Sequence, residues 1–140
     1  MKRILILLSI LCALTTASKA QYPDEDPLYV RVEQPAEFPG GTEAMTLFLG
    51  ENVKYPVVAL ENKIEGKAIC QFIVNKDGSI TDIEVVRSSG DASLDKEAVR
   101  VINAMPNWTP AKQRGKIVRM RFMLPVVFRL PKERPMPTQQ

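Results

Sequence analysis

Residues 66–86, GKAICQFIVNKDGSITDIEVV, decide the fold. Two runs rich in Val, Ile and Phe flank Lys76-Asp77-Gly78, and a glycine there supplies the positive φ that a tight hairpin loop demands. The stretch reads as an antiparallel hairpin. Ala68, Cys70, Phe72 and Val74 share one face of its first strand, while Ile83 and Val85 alternate with Asp82 and Glu84 on the second. One face belongs to a core and the other meets polar surroundings.

Downstream, DASLDKEAVRVINAM places Leu94, Ala98, Val101 and Met105 on one side of a helix, with Asp91 or Ser93 as its cap. Pro106 disfavours helical geometry at Met105, so the chain leaves the helix there. MPNWTP follows and holds the chain's single Trp between two prolines. After a turn at Gly115, KIVRMRFMLPVVF alternates as a third strand, with Val118, Met120, Phe122 and Leu124 on one face and Ile117, Arg119, Arg121 and Met123 on the other. Pro125 offers no N–H to a ladder, which confines the far half of that strand to an edge or an unpaired extension. Upstream, Gly40-Gly41 breaks the chain before a short helix with Thr42 as cap and Ala44, Met45, Phe48 and Leu49 on its apolar side, ending near Gly50. Pro56 opens a second helical piece running towards Lys63.

Residues 1–20 read as a signal peptide. Lys2 and Arg3 precede an apolar run from Ile4 to Ala17, and Ser18-Lys19-Ala20 has small residues where a signal peptidase reads. At about 1.5 Å of rise per residue that run spans roughly 21 Å, short of a bilayer's roughly 30 Å hydrocarbon layer, so cleavage is favoured over retention as an inner-membrane anchor. Residues 21–35, rich in Pro, Asp and Glu, read as an extended tether, residues 36–130 as one folded domain, and residues 131–140 as a disordered tail. Lys2, Arg3 and Lys19 account for the whole basic excess; without them 16 bases stand against 16 acids. Nucleic-acid binding then lacks its main driving force. Cys70 is the only cysteine after the leader, which excludes an intramolecular disulfide in the mature domain.

Candidate chemistry is sparse. NKDGSITDIE has oxygen ligands at several calcium-loop spacings, but the first ligand position is Ile73 and the loop lies on a hairpin, so it reads as a turn. The chain has no His, and Ser88 and Ser89 have no base near in sequence. Cys70 sits at an inward strand position and reads as core. Asp95 and Glu97 occupy the start of a helix, where the macrodipole favours anions. No enzyme, cofactor or metal site is expected. Arg119 and Arg121 on the last strand have two readings: charges that keep an exposed edge from pairing, or the rim of an edge that recruits one chosen peptide.

Taken together, the joints form a pattern. Tyr55-Pro56, Gly66, Asp77-Gly78, Leu94-Asp95 with Glu97-Ala98, Met105-Pro106, Trp108, Pro110, Gly115 and Leu124-Pro125 with Phe128 follow the order found in the C-terminal domain of the TonB family. The chain resembles that domain over residues 34–130, and EFPGG at residues 37–41 is similar to the form common in Bacteroidota.

The resemblance implies an α+β fold, two helices packed on a three-stranded antiparallel sheet. Tyr55, Pro56, Gly78, Trp108 and Pro110 take structural roles in it, with Trp108 as a hydrophobic clasp. It implies a periplasmic domain whose last strand accepts the TonB box from the plug of an outer-membrane TonB-dependent transporter, in energy-coupled uptake of nutrients or siderophores. The pairing edge carries over to Ile117, Val118, Arg119, Met120, Arg121 and Phe122, with Asn52 and Lys54 as flanking contacts. ExbB and ExbD enter as partners only where the leader is retained as an anchor, and a homodimer through the edge strand is a further outcome the resemblance allows. Full-length relatives carry an anchor with a His motif and a long Pro-rich spacer; here a tether of about 15 residues reaches roughly 50 Å when extended. The competing reading is a regulatory or envelope-structural module that uses the same edge without transducing energy.

Overall fold

The computed structural model describes residues 27–132; the expected signal peptide, the first part of the tether and residues 133–140 of the expected tail lie outside it. The hairpin forms as its sequence dictates. Strand β2 (Gly66–Val74) and strand β3 (Ile80–Arg87) pair antiparallel around a turn in which Gly78 has φ 86°. Gly78 N–H donates to the Asn75 carbonyl at 2.9 Å, and the Asp77 carboxylate accepts from Ser79 N–H at 2.9 Å. Ala68, Cys70, Phe72 and Val74 are fully buried on one face.

Helix α3 (Ala92–Asn103) is capped by Asp91, whose Oδ1 accepts from Ser93 N–H at 2.9 Å and Leu94 N–H at 3.1 Å. Its Leu94, Ala98, Val101 and Ile102 are buried against β2 and β3. Helix α1 (Gly41–Asn52) lies on the same side through half-buried Ala44, Met45, Phe48 and Leu49, and a one-turn helix α2 (Val57–Glu61) contributes buried Ala59. The cap of α1 is Gly40 in the left-handed region and not Thr42, which falls inside the first turn. The helix also runs two residues past Gly50.

The last strand, β5 (Lys116–Phe128), pairs with β2 from Phe128 opposite Gly66 to Met120 opposite Val74 without interruption. Its Val118, Met120, Leu124, Val126 and Phe128 are buried. The antiparallel trio of β5, β2 and β3 is the expected sheet. Two short strands extend it: β1 (Leu28–Tyr29), parallel to β5, and β4 (Ala111–Gln113), antiparallel to β5, giving five strands where three were expected. Each is only two or three residues long, too short for an alternating pattern to stand out. Residues 27–35, from the stretch read as a tether, run along this sheet, and Gln34 and Glu37 bridge to Lys112 and Thr109.

Trp108 closes the core. Its ring is edge-on to Phe38, Phe72 and Phe122 at centroid distances of 5.9, 5.4 and 4.9 Å, and its backbone N–H donates to the Gly78 carbonyl at 2.8 Å. Non-helical, non-strand backbone is what lets this ring enter the core while its main chain meets the hairpin turn. A Cβ on Gly78 would stand 2.1 Å from the Trp108 carbonyl oxygen, so this glycine is required by the close approach as well as by its φ. Gly115 also has positive φ, 76°, but open space around it. Gly115→Ala should therefore cost about 1–2 kcal/mol of backbone strain. Gly78→Ala should add about 1–3 kcal/mol of overpacking, which paired urea denaturation curves would read directly.

Candidate partner-binding edge

All six residues expected to form a pairing edge lie in β5, and the alternation of an antiparallel ladder tells which side each backbone group faces. Gln113 and Lys116 flank a two-residue turn in which Arg114 and Gly115 both have positive φ, the geometry of a type I′ hairpin. Residues that flank such a turn exchange both backbone hydrogen bonds, so Lys116 and Val118 direct theirs to β4. By the same alternation Met120, Phe122 and Leu124 direct theirs to β2, which places β4 end-on to β2 on one side of β5. Ile117, Arg119, Arg121, Met123 and Pro125 face the opposite side. Pro125, which has no N–H to offer, falls in that outward set, as a proline opposite Ile69 in an unbroken ladder must.

Among the described residues, the outer edge of β5 therefore has little strand pairing. Among the described residues its only strand neighbour is β1, with Leu28 opposite Arg119 and Tyr29 opposite Met120. The side chains of Val118 and Met120 point into the core and Phe122 is half-buried against it, whereas Ile117 and Arg121 are exposed on the outer face and Arg119 is half-buried. The sheet's other edge, β3, is built differently. Its register with β2 shifts twice, between Ile69 and Cys70 and between Gln71 and Ile73, and Asp82 has φ 55°. Such bulges twist an edge away from further pairing.

The chain matches the family described as Gram-negative bacterial TonB protein C-terminal over residues 51–130. It belongs to that family. Among its relatives are Protein TonB of Helicobacter pylori (strain ATCC 700392 / 26695), 30% identical over 77 residues, and Protein TonB of Haemophilus influenzae, 44% identical over 50 residues. These alignments cover 55% and 36% of the chain but only 26% and 18% of the relatives. The chain thus spans about a quarter or less of those proteins. The solution structure of the Helicobacter pylori TonB C-terminal domain (residues 194–285) superposes with a TM-score of 0.50 at 25% identity, covering 65% of this chain and 95% of that one.

Within this TonB C-terminal domain, Asn52 and Lys54 are not brought to the middle of β5. Their neighbours Leu49, Gly50, Val53 and Tyr55 line a groove with residues 126–129, at the far end of the strand. What the two residues do touch is α3. Glu97, 8% exposed, accepts from Lys54 N–H at 2.6 Å and from Arg100 Nε and Nη2 at 2.6 and 2.8 Å, and Arg100 Nη2 also donates to the Asn52 carbonyl at 2.7 Å. This knot ties the α1–α2 connection to α3, a role for Glu97 that reading it as a helix-start anion misses. Asp95 likewise accepts from Ser89 N–H and Oγ at 2.8 and 2.6 Å, fixing the loop between β3 and α3. The bonds from Lys54 to Glu97 and from Arg100 to Asn52 span more than forty residues, and no local spacing signals them. Tyr55 donates its hydroxyl hydrogen to the Ile64 carbonyl and sets its ring edge-on to Phe128 at 5.9 Å. Burial pushes the Cys70 thiol up to about 11, consistent with a core position. Among the described residues no cluster suits a metal ion, and no helix is long and apolar enough to cross a membrane.

Two outcomes follow from this geometry. In hydrogen exchange, the amides of Phe122 and Leu124, directed to β2, should be among the slowest in the domain, and those of Ile117 and Met123 should exchange fast. Comparable protection at all four would mean that the outer edge is covered. Burial works to raise the Glu97 carboxyl, but hydrogen bonds from Arg100 and Lys54 N–H, with the Arg100 charge, hold it below the ordinary glutamate value. A folded pKa below the unfolded one adds stability that is complete above the unfolded value and is lost as pH falls through the folded value. Glu97→Gln should thus cost about 1–3 kcal/mol at pH 7, with the gap from the parent closing below the ordinary glutamate range in a pH series of urea midpoints.

Proposed function

We propose that this domain binds the TonB box of outer-membrane TonB-dependent transporters by taking it up as an added strand on the outer edge of β5, in energy-coupled transport of nutrients or siderophores. The observation that carries the reading is the edge itself. In a TonB C-terminal domain, a 13-residue strand keeps an unbroken register along β2 from Met120 to Phe128, and among the described residues only β1 pairs with its outer side. The opposite edge is blunted by two bulges.

In strand addition, main-chain hydrogen bonds supply the affinity and alternate side chains the selectivity. The outward backbone groups of Ile117, Arg119, Arg121 and Met123 would hold the peptide. The exposed side chain of Arg121 on the outer face would favour acidic or polar side chains of the peptide there. Such a partner places the domain in the periplasm. Engagement of ExbB and ExbD belongs to a form that retains the leader as an anchor, and a homodimer through β5 is the competing use of the same edge.

The test is a titration of isotope-labelled chain with TonB-box peptides from the host's own transporters, followed by backbone amide shifts. Shifts concentrated on Ile117, Arg119, Arg121 and Met123 are expected. No shift at millimolar peptide would remove the transport reading and leave this edge to a regulatory or structural partner.

A further inference from the structure

Given that reading of the β5 edge, we infer that the chain carries its own competitor for it: Leu28 and Tyr29 dock in parallel on Arg119 and Met120 as an autoinhibitory strand that an incoming peptide must displace. The chain reaches this position from a firmly held segment. Ala36 and Phe38 are buried, Gln34 exchanges two backbone hydrogen bonds with Lys112 at 3.1 and 2.8 Å, and Glu37 exchanges two with Thr109 at 3.0 and 2.8 Å. Glu33 is fastened at both ends, its N–H to Gln113 Oε1 at 2.9 Å and its carboxylate accepting from Arg114 N–H at 3.2 Å. Between these anchors on β4 and the strand on β5 the chain bends over residues 30–33.

This arrangement has the properties of a displaceable strap. The anchor keeps Leu28 and Tyr29 beside the edge, which corresponds to an effective concentration of about the millimolar range for a short connection. The strand itself is short. It covers two positions, both its side chains are only half-buried, and Val30, which would continue it opposite Arg121, is 63% exposed instead. A strand of two residues is easily opened, whereas a longer partner in the same direction gains the Arg121 carbonyl and the outward groups of Met123 as well. Those uncovered positions form a foothold from which the partner advances onto Arg119 and Met120. Apparent affinity is then lowered by the fraction of molecules in which β1 is docked.

The experiment uses the full chain and two strap variants, Tyr29→Pro and the double variant Leu28→Gly with Tyr29→Gly, with Trp108 fluorescence confirming that each is folded. Two peptides are titrated, a transporter TonB box and the octapeptide DPLYVRVE, which copies residues 26–33. The strap predicts that the octapeptide shifts the amides of Arg119 and Met120 in both variants and not in the parent. It also predicts that the TonB box binds the variants about tenfold more tightly, with the Leu28 and Tyr29 signals of the parent moving to free-chain positions on binding. If the octapeptide docks while no TonB box binds any form, the strap stands and the transporter reading falls. If the TonB box binds all three forms equally while Leu28 and Tyr29 stay unshifted in the parent, or if the octapeptide moves nothing in folded variants, the strap is overturned.

Discussion

Where β5 begins depends on one close approach, that of the Trp108 main chain to Gly78. The hydrogen bond from Trp108 N–H to the Gly78 carbonyl and the absence of a side chain on Gly78 bring the chain leaving α3 directly against the β2–β3 turn. From there the chain can only run on past the end of β2, as β4, and return as β5. The Trp108 ring, held among Phe38, Phe72 and Phe122, ties this point to the N-terminal segment, the central strand and the last strand together. Because β4 comes back in line with β2, the opposite side of β5 is, among the described residues, paired only by β1. A structural clasp at one end of the sheet thereby determines which edge is available for a partner.

An open edge is a hazard as well as a site, since any extended chain can pair with it. The two edges of this sheet answer that hazard differently. On β3 the bulges and the left-handed Asp82 remove a regular template altogether. On β5 regularity is kept, and protection comes from devices that yield or that limit length: Pro125 ends the run of available donors, arginines sit on the outer face, and β1 covers the middle. An edge kept regular but lightly guarded suits selective strand capture better than permanent burial.

Much of this architecture was legible from local pattern. The hairpin turn, the face of β2, the cap and buried side of α3, and the core-facing residues of β5 all follow from period and turn chemistry within a dozen residues. The reading of Trp108 as a hydrophobic clasp comes from the family resemblance and not from local pattern. What escaped was written in contacts between distant segments. Leu28 and Tyr29 form a strand only because β5 presents Arg119 and Met120, and Glu97 is a structural knot only because Lys54 and Asn52 arrive beside α3. The Gly40 cap was hidden by Thr42, a residue with the better capping chemistry two positions too late. Asn52 and Lys54 read as flanking contacts by their place before Tyr55-Pro56, but the fold sets them by α3 and the far end of β5.

The central claim is that a partner strand adds to β5 and not to β3. Single cysteines at Met123 on β5 and at Glu84 on β3, each tested for disulfide cross-linking to a transporter bearing a cysteine in its TonB box, address it most directly. The account predicts a cross-linked species with Met123→Cys and none with Glu84→Cys at equal expression. Cross-linking through Glu84→Cys alone would place the partner on the bulged edge and contradict it.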